Sequence, residues 1–136
     1  MPAPVIFACV HNAGRSQMAA AFFNQLADPA KATGVSAGTT PADHVHPEVV
    51  DIMREVGIDL ADRKPQLLTQ ELAAGADWLI TMGCGEACPV VPGLERLDWA
   101  LPDPKGQPME RVREIRDTIR SRVEVLVREQ GWDRVR

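Results

Sequence analysis

Tyrosine is absent from this 136-residue chain, and the aromatic share reaches only 4 %. That scarcity argues against stacking platforms for nucleic-acid bases. Positive charge is also in short supply. Fifteen Lys and Arg against 19 Asp and Glu leave a net charge of −4, which disfavours nucleic acid or an anionic membrane as the main partner. No apolar run approaches the roughly 20 residues that cross a bilayer. The opening Met1–Cys9 has only a short apolar run and no basic stretch ahead of it, so it reads as a first strand and the chain as cytoplasmic. Cysteine is limited to three. An odd count without a secretion signal argues against a disulfide framework and points to catalytic, redox or metal roles.

What remains is ordinary globular composition, 45 % hydrophobic and 25 % charged, in a length that suits one domain over residues 1–136 and, by default, a monomer. Val5-Ile6-Phe7-Ala8 is a continuous apolar run, as expected of a strand buried on both faces. Ser16 to Leu26 repeats Met18, Phe22 and Leu26 at four-residue spacing, which predicts a helix ending near Asp28-Pro29. Lys31 to Ser36 reads as a second strand, closed by Ala37-Gly38-Thr39. Pro47 opens a second helix with the stripe Val49, Ile52, Met53 and Val56, and Gly57 fits its C-terminal cap. Leu67 to Ala74 reads as a short helix, Asp77 to Thr81 as a third strand and Leu94 to Trp99 as a fourth. A final helix spans about Met109 to Val127. Its apolar stripe is Val112, Ile115, Ile119, Val123 and Leu126, with Arg113, Arg116, Arg120 and Glu124 largely outside it. This alternation predicts an α/β domain with a parallel sheet covered on both faces.

In such sheets ligands bind beyond the carboxyl ends of the strands. Cys9-Val10-His11-Asn12-Ala13-Gly14-Arg15-Ser16 leaves the first strand there and runs directly into a helix. Backbone N–H groups converging at a helix N-terminus bind tetrahedral oxyanions, and Arg15 adds a planar fork of donors. The same field favours the thiolate of Cys9, and Ser16 is placed to donate to it. Asn12 tolerates left-handed backbone angles, and Gly14 allows close approach to the anion. A cysteine at a strand end is commonly a small buried hydrophobe. The specific signal is the conjunction of strand, Cys, Gly-containing loop, Arg-Ser and helix. His11 reads as solvent-facing. His44 and His46 form a His-x-His pair without a third ligand nearby, so loop roles are favoured over metal.

Cys84 and Cys88 follow the third strand, which in a parallel sheet emerges on the edge that carries Cys9. Residues four apart on a helical turn have Cα atoms about 6 Å from each other, within disulfide reach. Gly83, Gly85 and Pro89 flank the pair and suit a segment that loosens easily. A zinc site would want about four ligands and would consume Cys9; a structural disulfide is disfavoured in the cytosol; two inert thiols remain the main competitor. Redox function is the preferred reading. An acid is needed for an oxygen leaving a tetrahedral oxyanion. Asp103, held between Pro102 and Pro104, is the candidate, Asp98 the fallback, and a plain turn through Gly106 the rival.

Together, Cys9-x-x-Asn12-x-x-Arg15-Ser16-Gln17-Met18-Ala19, Ser36-Ala37-Gly38-Thr39, Met82-Gly83-Cys84 with Cys88-Pro89, and Asp103-Pro104 resemble the low-molecular-weight tyrosine phosphatase fold family. More narrowly, they resemble its thioredoxin-coupled arsenate reductases, over essentially the whole chain. The resemblance implies a four-stranded parallel sheet of order 2-1-3-4 with helices on both faces. It also implies a mechanism for arsenical resistance. Cys9 attacks arsenate held by the loop (Val10 to Ser16) and Arg15, and Asp103 protonates the leaving hydroxyl. Cys84 then releases arsenite as a Cys9–Cys84 disulfide forms, and Cys88 moves the disulfide to Cys84–Cys88 for reduction by thioredoxin or a glutaredoxin-like reductant. No bound cofactor or metal is implied. Three departures stand out. Lys105 follows Asp103-Pro104 where aryl phosphatases carry tyrosine. Ala20 stands where some relatives bind potassium through an acid. Cys84 and Cys88 are also closer together than in some relatives. Alternatives from other classes are a phosphatase using only Cys9, Arg15 and Asp103, and a non-catalytic trivalent-arsenic or zinc module using three thiolates.

Overall fold

The structure, a computed structural model, describes residues 2–83 and 93–134. Among these residues eight elements follow in order: β1 (Ala3–Cys9), α1 (Arg15–Leu26), β2 (Ala32–Gly38), α2 (Pro47–Arg54), α3 (Gln70–Ala74), β3 (Trp78–Thr81), β4 (Glu95–Asp98) and α4 (Met109–Glu129). The strands form one sheet in the order β2-β1-β3-β4, every neighbouring pair parallel. Both the parallel sheet and its 2-1-3-4 order match the expectation.

The central strand explains the layering. Successive side chains of a strand face opposite ways. Val5, Phe7 and Cys9 join Ile80 in the large core beneath α1, α2 and α4, whereas Ile6 and Ala8 join Leu79, Ala37 and Leu68 on the other face. All five β1 residues from Val5 to Cys9 are at most 2 % exposed, which is why the run is apolar without alternation. Phe7, Phe22 and Phe23 are at most 1 % exposed, and burial of each such ring stabilises the fold by roughly 2 kcal/mol. Helical cover is unequal among the described residues: three helices on one face, and the five-residue α3 on the other. No helix among the described residues is long and apolar enough to cross a membrane.

Several boundaries differ from the sequence reading. The helix expected from Leu67 begins only at Gln70. Leu67 instead makes a parallel bridge with Gly38, Leu68 N–H donates to Gly38 O at 2.8 Å, and Thr69 Oγ1 caps the helix by accepting from Leu72 N–H at 3.0 Å. Strand β2 runs on through Ala37 and Gly38, while β3 and β4 are each shorter than read. Helix α1 starts one residue earlier, at Arg15, and α4 runs to Glu129. Gly57 does cap α2. At φ 82° it lets Ile58 N–H reach back to Met53 O at 3.0 Å, closing the helix end.

Arg116 also departs from its expected place outside the α4 stripe. It is only 8 % exposed, because Nη1 donates to Ile52 O and Glu55 Oε1, both at 3.0 Å, and Nε to Asp117 Oδ1 at 2.9 Å. Three acceptors make its burial affordable where an unpaired guanidinium would stay in water.

Candidate active site

The parallel registers bring the carboxyl ends of all four strands to one rim, with Cys9 beside Gly38, Ala8 beside Thr81, and Thr81 beside Asp98. Cys9 is the last residue of β1 and 2 % exposed. The loop that follows is pinned by its carbonyls. Those of Cys9, Val10, His11 and Ala13 accept from the N–H groups of Thr39 (3.2 Å), Thr40 (2.8 Å), Ala42 (2.9 Å) and His46 (2.9 Å). Gly38 is required beneath it, since a Cβ there would lie 2.6 Å from Val10 O. Among the described residues, the backbone N–H groups from His11 to Gln17 reach no acceptor, and the first helical bond is Met18 N–H to Gly14 O at 3.0 Å. Carbonyls drawn off to one segment and a run of free amides at a helix start form an anion-binding cup.

The Cys9 thiol is set at the base of this cup. Cys9 Sγ lies 2.9 Å from Ser16 Oγ, and Asn12 Nδ2 donates to the same hydroxyl at 2.7 Å. Asn12 is fully buried and sits at φ 51°, the left-handed region anticipated for it. Arg15 is 7 % exposed. Its Nη1 donates to Leu101 O at 3.1 Å, and Nη2 lies 4.0 Å from Asp103 Oδ2. Gly83, at φ 100°, closes against the guanidinium: a Cβ there would stand 2.6 Å from Arg15 Nη1.

Asp103 combines the two readings made of it. Its Oδ1 accepts from Lys105 N–H at 3.0 Å, as in a turn, while Oδ2 faces Arg15. Pro104 is buried over the loop, where its Cγ would lie 3.0 Å from a Cβ on residue 14, so Gly14 admits the Asp-Pro pair. Asp98, the fallback acid, is occupied by a 2.7 Å bond from Thr81 Oγ1 within the sheet. His11 is half-buried rather than simply solvent-facing, with Nδ1 3.2 Å from Thr40 O. Burial lowers the pKa of His46, against the pull of Glu48 and Asp103; Lys105 and His11 lower it further. Among the described residues no cluster of three or more His, Cys, Asp or Glu side chains could hold a metal ion.

The site residues Cys9 to Ser16 and Asp103 are therefore gathered at one rim. Cys84 and Cys88 lie outside the described residues. Three contributors escaped the sequence reading. Leu101 acts through its carbonyl and Gln66 through its N–H, which donates to Asn12 Oδ1 at 2.9 Å; neither leaves a side-chain signal. Gln17 acts through its side chain, but its burial to 5 % exposure in the first turn of α1 is seen only in the structure.

A model of the low molecular weight phosphotyrosine protein phosphatase family matches residues 4–134. Among curated proteins, a putative arsenate reductase of Halobacterium salinarum is 46 % identical over 86 % of this chain and 85 % of its own. A glutaredoxin arsenate reductase of Synechocystis sp. is 34 % identical over 90 % of this chain and 95 % of its own. Among solved structures, the thioredoxin-dependent arsenate reductase of Corynebacterium glutamicum superposes with a TM-score of 0.82 at 38 % identity, covering 96 % of this chain. This chain spans 62 % of the length of that structure.

Proposed function

Because the chain belongs to the low molecular weight phosphotyrosine protein phosphatase family, we propose that its anion cup binds arsenate and that the protein is a cytoplasmic arsenate reductase serving arsenic detoxification. One observation carries this reading: a buried cysteine sulfur 2.9 Å from a serine hydroxyl, at the base of a loop of free amides flanked by a buried arginine. That arrangement binds a tetrahedral oxyanion and presents a nucleophile to its centre.

The reaction runs in three exchanges. Cys9 Sγ forms a bond to arsenic, and one arsenate oxygen leaves as water with a proton from Asp103. The thiolate of Cys84 then attacks Cys9 Sγ. A Cys9–Cys84 disulfide forms, the sulfur–arsenic bonding pair stays on arsenic, and As(V) departs as As(III), arsenite. Cys88 next attacks Cys84, which frees the Cys9 thiolate and leaves the Cys84–Cys88 disulfide for an external dithiol. Two thiols have lost the two electrons that arsenic gained. Gly83, which precedes Cys84, packs on Arg15, and this supports a second thiol close to the first. A thioredoxin-type protein is the proposed reductant, after the Corynebacterium relative; the Synechocystis relative makes a glutaredoxin system the alternative. The acting unit is proposed to be a monomer without a bound cofactor.

Arsenate with thioredoxin, its reductase and NADPH should give sustained NADPH oxidation, and Cys84→Ser should abolish multiple turnover. Full turnover by Cys84→Ser would refute the relay. Thiol counting after arsenate exposure without reductant should show two thiols lost per chain, and none in Cys9→Ser. A phosphatase would instead hydrolyse aryl phosphates vigorously with no reductant, needing only Cys9, Arg15 and Asp103.

A further inference from the structure

Of the five carbonyls from Cys9 to Ala13, four are held by backbone amides of residues 39–46, whereas that of Asn12 is held by a side chain. Gln17 Nε2 donates to Asn12 O at 3.1 Å and to Asn12 Oδ1 at 3.3 Å. The carbonyl and N–H of a trans peptide point in opposite directions. Anchoring Asn12 O on Gln17 therefore turns the next N–H, that of Ala13, away from Gln17 and keeps the carbonyl out of the cup. It also holds Asn12 at φ 51°, a conformation that a non-glycine residue adopts at some cost.

The side-chain bonds carry a second consequence. Gln66 N–H can only donate, so the Asn12 oxygen must be the atom facing it, at 2.9 Å, and Gln17 Nε2 converges on that same oxygen. Asn12 Nδ2 is then left to face Ser16 Oγ as a donor. With the hydroxyl oxygen accepting, its single proton is free for Cys9 Sγ 2.9 Å away. A donor to sulfur favours the thiolate.

We propose that Gln17 is a positioning residue of the anion loop: it fixes the Asn12–Ala13 peptide so that the Ala13 N–H serves the oxyanion, and together with the Gln66 N–H it orients Asn12 so that Ser16 donates to Cys9. The inference rests on Cys9 as the nucleophile, and its test needs no arsenate turnover.

In a Cys84→Ser/Cys88→Ser background only Cys9 remains to react, and its alkylation by iodoacetamide reports thiolate availability directly. Inorganic phosphate protects it by filling the cup. Gln17→Met, of similar length but without the donor, should weaken phosphate protection by about tenfold, the worth of one lost charge-assisted bond. It should also slow alkylation in the absence of phosphate. The slowing should vanish when Ser16→Ala is already present, because the effect travels through that hydroxyl; a general loosening of the fold would persist there. Gln17→Glu keeps the shape and replaces donor by acceptor, so it should weaken protection further, and it decides the matter if the Met variant does not fold. Phosphate protection within twofold of the parent in a folded variant would overturn the proposal, as would undiminished slowing in the Ser16→Ala background. Loss of arsenate reduction with these effects intact would count against the reductase reading alone.

Discussion

Two arginines, Arg15 and Arg116, are buried almost equally, at 7 % and 8 % exposure, yet their surroundings are opposite. Arg116 is closely paired: Glu55 and Asp117 neutralise it at 3.0 and 2.9 Å, and Ile52 O takes another N–H. Among the described residues, Arg15 has one carbonyl at 3.1 Å and a carboxylate no nearer than 4.0 Å, in a half-buried residue already engaged with its own turn. Removing a charge from water without close pairing costs several kcal/mol. The fold covers that deficit at Arg116 from within the chain. At Arg15, among the described residues, it leaves the charge beside free amides, and under the proposed function an arriving oxyanion completes the pairing. Burial alone thus does not distinguish the two arginines; the presence or absence of a closely paired carboxylate among the described residues does.

The contrast is broken most severely by changing the fork while keeping the charge. Arg15→Lys should lower kcat/KM for arsenate by about 100-fold or more, because a point charge cannot replace two aligned donors to the anion. Arg116→Lys should leave kcat/KM within about threefold, since its partners are structural; steady-state kinetics of the pair checks both. Next in size is Gly83→Ala, which meets Arg15 Nη1 at 2.6 Å from a backbone at φ 100°. Displacing the guanidinium should cost about tenfold in kcat/KM, with arsenate KM carrying much of the loss. For stability the order reverses. Arg116→Met leaves Glu55 without one of its two cations and Ile52 O without its donor, and should lower the melting temperature by several degrees, roughly 1–2 kcal/mol for a domain of this size. Arg15→Met removes an incompletely paired charge and should leave the melting temperature unchanged or higher.

The same pair shows how far sequence patterns reach. Strand order aside, the layers were legible because Val5–Ala8 is uniformly apolar and the strands alternate with helices, which leaves few topologies. The strand–loop–helix turn that gathers Cys9, Gly14, Arg15 and Ser16 was legible because these residues are local in sequence and distinctive in type. Arg116 was misread because helical periodicity sees only its own helix. What buries it is Glu55 and the Ile52 carbonyl, 61 and 64 residues away. Leu101 and Gln66 were invisible for a related reason: they contribute backbone atoms, which every residue possesses. The short α3 shows tertiary pairing overriding local preference, since Leu67 and Leu68 bond to Gly38 in place of a first helical turn.

The smallest expected effect sharpens the comparison through acid. Hydrogen bonds from Arg113, at 3.0 and 2.8 Å, and from Arg116 hold the Glu55 carboxyl down to about 2, against burial that works to raise it. A carboxyl depressed in the folded state contributes stability that is fully present above its unfolded value, 4.5, and is lost as pH falls towards about 2. Glu55→Gln should therefore melt below the parent near neutral pH, and the gap should narrow steadily between about pH 4.5 and pH 2. Glu55 is exposed, so solvent and salt screen the pair, and added salt should shrink the gap at neutral pH as well. A gap independent of pH across that window would mean that Glu55 acts through packing, and that neutralisation is not what separates Arg116 from Arg15.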